Sequence, residues 1–197
     1  MTNLHLFQLI NAPPGLSHQQ LLWATLLASW LIVLVPITMA VGWVRGDHAA
    51  RLDLVQMLVA VGLALLLAQV VTLIWPQPRP FAVHVGTQYL DHGTDPSLPS
   101  DHVTVFWTLA LASLRSRRFA LWGFPLLAVG LVVGWSRIYL GVHFPMDIAA
   151  ALPVAWAGTM AAGVLRKPLM PLYAGMLSLH DRWLGLLRDW MRALRKN

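Results

Sequence analysis

LVQMLVAVGLALLLAQVVTLIW, running from Leu54 to Trp75, contains no charged residue. A helix rising about 1.5 Å per residue needs about 20 residues to cross the hydrocarbon of a bilayer, and this stretch is long enough to do so. Four further apolar stretches accompany it: Leu21 to Val44, Ser100 to Leu114, Phe119 to Trp135 and Pro145 to Leu165. A chain of 197 residues cannot hide five such segments from water in one soluble core. The pattern therefore predicts an all-α integral membrane bundle of about five transmembrane helices. The third is the shortest, with an apolar run only from Val103 to Leu114, and a re-entrant segment is the alternative there.

Composition agrees with this reading: 57% of residues are hydrophobic and 11% charged, which departs from the usual balance of soluble domains. Cysteine is absent, which removes disulfides and thiolate metal sites, and glutamate is absent too. The net charge of +6 raises nucleic acid as a partner, but the basic residues border the apolar segments, where anionic headgroups lie. Membrane lipid is the expected partner and nucleic acid is not. The first twenty residues lack a basic n-region and lead into a full-length span, so no cleaved signal peptide is expected.

Basic residues alternate between connections. Arg45 and Arg51 follow the first span, Arg115, Arg117 and Arg118 the third, and Arg166 and Lys167 the fifth. The positive-inside rule makes these cytoplasmic and places the N-terminus, the loop from Pro76 to Pro99 and the turn around Gly141 outside. Arg79 and Arg137 are the exceptions on the outer side, and they need a reason. The segment from Leu4 to Ile10 is too short to span and ends at Pro13-Pro14-Gly15, so it reads as an interfacial anchor. A boundary is drawn after residue 168. Beyond it, Met176, Leu179, Trp183, Leu187, Trp190 and Leu194 recur at helical steps among Arg182, Arg188, Arg192, Arg195 and Lys196, an amphipathic tail lying on the cytoplasmic leaflet, with binding to a partner protein as the alternative.

Three polar clusters fall at span ends on the outer side: Arg79-Pro80, Pro99-Ser100-Asp101-His102, and Ser136-Arg137 with His143 and Asp147. Pro145 suits the first turn of a helix, which sets His143 at its entrance and Asp147 one turn in. A carboxylate on one imidazole nitrogen leaves the other free as nucleophile or base. The bland alternative is an interfacial histidine beside an aspartate favoured by the helix dipole. Arg79 and Arg137 offer planar forks for a phosphoryl group, against which stands simple snorkelling to the interface. Ser100 or Asp101 can cap the third helix, whose free N–H groups attract an anion. Taken together, two arginines, two histidines and two helix entrances on one face are the equipment of phosphoryl transfer. Acyl transfer lacks a G-x-S-x-G turn, and the arginines disfavour a zinc ion among His102, His143 and Asp147; neither a metal nor another cofactor is expected.

These residues resemble the type 2 phosphatidic acid phosphatase (PAP2) superfamily, whose signature is K-x6-RP, PSGH and SR-x5-H-x3-D. The third part is complete from Ser136 to Asp147. The second reads Pro99-Ser100-Asp101-His102, a variant similar to the bacterial undecaprenyl diphosphate phosphatases. The first keeps Arg79-Pro80 but has Thr72 where the lysine is expected. The likeness spans residues 1 to 165, including Leu6 to Asn11, and implies a helical bundle with an outward site. By this resemblance His143 is the nucleophile that forms a phosphohistidine, Asp147 its orienting partner and His102 the acid on the leaving oxygen. Arg79, Ser100 and Arg137, with Pro80 and Asp101 beside them, hold the phosphate. Asp101 itself is expected to orient His102 or Arg79, or to keep His102 protonated at neutral pH.

The expected reaction is hydrolysis of undecaprenyl diphosphate to undecaprenyl phosphate and phosphate, recycling the carrier lipid of cell-wall synthesis. A phosphatase for phosphatidylglycerophosphate, phosphatidate or lipid A, a carrier-lipid phosphotransferase and a non-catalytic lipid binder stay open. A vanadate-dependent oxidase is disfavoured, since those relatives are soluble. Neither oligomeric state nor a role for His84 and His92 has a signature in the sequence.

Overall fold

The computed structural model describes residues 2–194 and is built of helices and the loops between them. Helix α1 (Asn3–Ile10) is capped by the Thr2 hydroxyl. The first long helix, His18–Arg45, consists of α2 (His18–Thr25), a π turn (Leu26–Trp30), a 3-10 turn (Leu31–Val33) and α3 (Leu34–Arg45). Helix α4 (His48–Ile74) follows, then the long polar loop, α5 (Asp101–Leu114), α6 (Ala120–Tyr139) and α7 (Pro145–Leu194).

Four helical segments are long and apolar enough to cross a membrane: His18–Arg45, His48–Ile74, Ala120–Tyr139 and Pro145–Trp183. They present a lipid-like exterior, with Leu73, Ile74, Leu121 and Phe124 among the most exposed side chains. The chain is a membrane protein. Helix α5, the stretch that looked shortest in the sequence, has 14 residues and sits inside the bundle against α4, α6 and α7. Val103, Thr104, Phe106 and Ala110 are buried on it, so neighbouring helices supply the apolar surroundings that lipid supplies elsewhere. Between α4 and α7 the backbones approach closely. Ala60, Ala64 and Ala68 form a buried stripe at four-residue steps, and a Cβ on Gly158 would stand 2.6 Å from the Ala64 Cβ. Small residues replace hydrophobic driving force with tight contact, as membrane helices require.

Charge sorts to the two poles. At one pole Arg118 meets Asp47 (3.5 Å), Arg166 meets Asp53 (3.4 Å) and the Ser116 hydroxyl donates to Asp53 (2.8 Å), which joins the three basic connections. At the other pole the Asn11 amide donates to the Thr87 and Tyr139 carbonyls (3.0 and 3.1 Å), and Tyr89 N–H donates to the Leu140 carbonyl (3.0 Å). The N-terminal segment, the long loop and the Gly141 turn are thereby tied together at the end expected from their charges. Helix α1 contributes Phe7, fully buried with its ring 5.2 Å from that of Phe144, while Leu9 faces outward.

No helix break marks residue 168. Helix α7 continues through Pro168 and Pro171, each of which removes one backbone donor. Tyr173 and Leu177 are buried, and the Tyr173 hydroxyl donates to Gln56 Oε1 (3.1 Å). Farther along, the Trp43 indole lies 3.4 Å from His180 Nδ1 and Arg51 lies 3.6 Å from Asp181. The first part of the tail therefore packs on the bundle. Met176, Leu179, Trp183, Trp190 and Leu194 are exposed. Arg195, Lys196 and the side chains of Leu187 and Arg188 lie outside the described residues.

Candidate active site

The site is assembled around the short turn between α6 and α7. Gly141 adopts φ +82°, and a Cβ there would collide with the Thr87 carbonyl, so the turn needs glycine for both conformation and space. Pro145 opens α7, and Asp147 turns back on the entrance: its Oδ2 accepts from Phe144 N–H (2.7 Å) and lies 3.1 Å from His143 Nδ1. Its Oδ1 accepts from the Gln77 amide (3.1 Å). One carboxylate thus caps the helix and fixes the imidazole. With the proton on Nδ1, Nε2 is left as an acceptor, and Arg79 Nη1 donates to it at 3.4 Å. Both side chains are buried. Burial, with the positive charges of Arg137 and Arg79, pushes the His143 imidazole well below its ordinary value, so it is held neutral.

Arg79 reaches the site from the loop after α4, where Pro80 opens the 3-10 turn Phe81–Val83. Pro80 is buried in that turn and shapes the backbone behind Arg79. Arg79 donates to the carbonyls of Val142 (3.0 Å) and Asp95 (2.9 Å) and to the Asp95 carboxylate (2.8 Å). Arg137, also buried, donates from Nη1 to the Ala28 carbonyl (3.1 Å) inside the π turn. Neither arginine snorkels: both are folded inward. Arg137 Nε has no hydrogen-bond partner, and neither has the buried Ser100 hydroxyl. Ser100 occupies the N-cap position of α5 without making the side-chain cap bond, so capping does not account for its hydroxyl. Its N–H donates to the Asp147 carbonyl (3.1 Å), which ties the α5 entrance to that of α7.

A cavity of about 210 Å³ opens among Arg79, Arg137, His102 and His143, with Asp101 and Thr72 on its wall. A smaller one, about 120 Å³, lies at the opposite pole beside Asp53 and Arg166 and contains no histidine. His102, half-buried on the first turn of α5, has no hydrogen-bond partner among the described residues, which leaves it available to a bound group. Asp101 is exposed on the same turn and bonds to neither His102 nor Arg79. Thr72, standing where the signature has lysine, donates to the Leu98 carbonyl (2.8 Å) and so anchors the strand of loop leading to Ser100. Among the described residues no three histidine, aspartate or glutamate side chains converge as a metal-ligand set does.

The structure adds residues that had no assigned role. Asp95 takes the Arg79 pairing expected of Asp101. Burial alone raises its carboxyl, but the hydrogen bond and charge of Arg79 outweigh that and hold it below the usual carboxylate range. His92 lines the cavity, 3.5 Å from Asp95, with its ring edge-on to His143 and centroids 6.5 Å apart. Burial and then the charge of Arg79 push His92 below its ordinary value. The only signal for either was the length and polarity of their loop. His84, by contrast, ends the 3-10 turn in the left-handed region (φ 57°) and is exposed, as is Asp91.

The family model of the PAP2 superfamily matches residues 53–168. The Escherichia coli (strain K12) protein named "Putative undecaprenyl-diphosphatase YbjG" is 37% identical over 164 residues, covering 83% of this chain and 82% of its own. Undecaprenyl-diphosphatase BcrC of Bacillus subtilis (strain 168) is 30% identical over 153 residues, covering 76% and 78%. The crystal structure of Aquifex aeolicus LpxE superposes with a TM-score of 0.65 at 23% identity, covering 81% of this chain and 93% of that one, a likeness of fold.

Proposed function

The chain belongs to the PAP2 superfamily, and from that premise we propose that it is a lipid phosphatase that hydrolyses undecaprenyl diphosphate to undecaprenyl phosphate and inorganic phosphate. The observation that carries the chemistry is the His143–Asp147 pair, with its imidazole Nε2 directed at Arg79. The names of the two relatives support the choice of lipid.

In the proposed reaction, His143 Nε2 attacks the terminal phosphorus as the bond to the bridging oxygen breaks, giving a phosphohistidine and the lipid monophosphate. Asp147 stabilises the positive imidazole ring that results. Ser100 Oγ and the unpaired Arg137 Nε supply donors to the phosphoryl oxygens, where charge gathers in the transition state. His102 gives a proton to the leaving oxygen and then takes one from the water that attacks the phosphohistidine, which releases phosphate and restores His143. The segregation of basic connections to the opposite pole supports a site facing the exterior of a bacterial inner membrane.

The test is phosphate release by the purified protein from undecaprenyl diphosphate, phosphatidylglycerophosphate and phosphatidate side by side, in EDTA. The diphosphate is expected to turn over fastest, and His143→Ala to lose at least about 10³-fold in kcat with its fold kept. Retention of turnover in that variant, or its loss to EDTA in the unaltered protein, would sink the mechanism. A preference for one of the other lipids would sink the substrate.

A further inference from the structure

Arg79 divides its donors unevenly. It holds the carbonyls of Val142 and Asp95 at 3.0 and 2.9 Å and reaches that of Pro96 at 3.4 Å. All three belong to backbone that stays in place. The remaining partner, the Asp95 carboxylate, is a side chain at 2.8 Å from Nη2, and it is 61% exposed where the arginine is 5% exposed. Two features make that carboxylate notable. It already occupies the anion position on a guanidinium whose other amino group faces the nucleophilic nitrogen of His143. It is also an anion on the wall of a cavity proposed to receive one, in a loop that Ser97, Thr72 and the carbonyls above hold by separate hydrogen bonds.

We propose that Asp95 is a resident counter-ion of Arg79, displaced by the incoming phosphoryl group, and that it thereby weakens the hold of the site on phosphate and favours release of the inorganic product. This rests on the phosphatase reading. A phosphoryl oxygen and the carboxylate compete for the same Nη2 donor, and the guanidinium fork suits either. Displacing the carboxylate costs both ligands the same factor, but lipid-linked phosphate also has the binding energy of its tail, whereas inorganic phosphate has none. The weakened site therefore still captures the substrate while letting the inorganic product go. After phosphate leaves, Asp95 returns and keeps the nearly buried Arg79 paired, which spares it the cost of an uncompensated charge.

If Asp95 merely orients Arg79, neutralising it would weaken phosphate binding, so the two roles differ in sign. The measurement is calorimetric affinity for inorganic phosphate, together with its inhibition constant against lipid hydrolysis, on the full chain in detergent. Asp95→Asn is expected to bind phosphate about tenfold more tightly, with a fall in KM for the lipid in the same direction, and Asp95→Glu to keep phosphate affinity within about twofold of that of the unaltered protein. Unchanged or weaker phosphate binding in Asp95→Asn would overturn the proposal. So would loss of the fold in Asp95→Asn and Asp95→Ala, since a side chain that moves aside at each turnover cannot be what holds the loop. Turnover by the unaltered protein with no gain in the variant removes only the counter-ion role. Absence of turnover on every lipid phosphate removes the phosphatase reading with it.

Discussion

The two poles of the bundle use the same residue types to opposite ends. At the basic pole Arg118 pairs with Asp47 and Arg166 with Asp53, at 3.5 and 3.4 Å, with the arginines about half exposed. Such pairs are screened by solvent and contribute little to stability. At the other pole Arg79, Arg137, His143 and Asp147 are all buried; Arg79, His143 and Asp147 have partners on each polar atom, whereas among the described residues Arg137 donates from Nη1 alone and its Nε has none. The contrast lies in the few donors left without one. A charge is free to pair casually where water compensates it; where water is excluded, an unpaired buried donor is costly until a ligand satisfies it.

That contrast can be broken at graded points. The largest effect is expected from Asp147→Asn, which keeps the volume but removes the charge behind the imidazole and disturbs its tautomer; kcat should fall about 10³-fold, measured as phosphate release. A smaller effect comes from pH. The His143 value lies well below 6.5, and the neutral ring is the nucleophile, so the acid limb of kcat/KM should begin below pH 6.5 and fall about tenfold per pH unit. A midpoint above 6.5 would contradict the burial argument. The smallest belongs to the basic pole: Arg166→Ala should leave kcat/KM unchanged and alter unfolding free energy by less than about 1 kcal/mol. A loss of activity there would show the two poles to be coupled.

What could be read from the sequence follows from how local each feature is. The His143–Asp147 pair needs only four residues of separation and a proline at the helix entrance, so spacing alone contains it. The apolar stretches announce their helices for the same reason, and even the shortness of α5 is visible as a short run. The exchange of partners at Arg79 is different. Asp95 arrives through an irregular loop whose course is set by Thr72, Gln77 and Ser97, and no periodicity reports it. The adjacent Asp101 looked the better partner because it stood inside a motif. The carbonyl that holds Arg137 comes from Ala28, in a π turn more than a hundred residues away in the chain, a contact that exists only after the bundle has closed. The amphipathic pattern of the tail sets a boundary after residue 168 in the sequence, yet α7 runs on through Pro168 and Pro171, with Tyr173 and Leu177 packed beyond.

Helix α5 also acts as a depth gauge. Its 14 residues rise about 21 Å, about 9 Å less than the thickness of a typical hydrocarbon core, and its two ends bear different assignments. One end runs into Arg115 at the basic pole; the other begins beside Ser100 and His102. Under the proposed function, and with the basic end level with one set of headgroups, the end bearing Ser100 and His102 would lie below the other set, at the bottom of a well. A phosphate reaching His143 would then have to sink past the plane of its neighbours' headgroups, and the water that follows would be admitted from above.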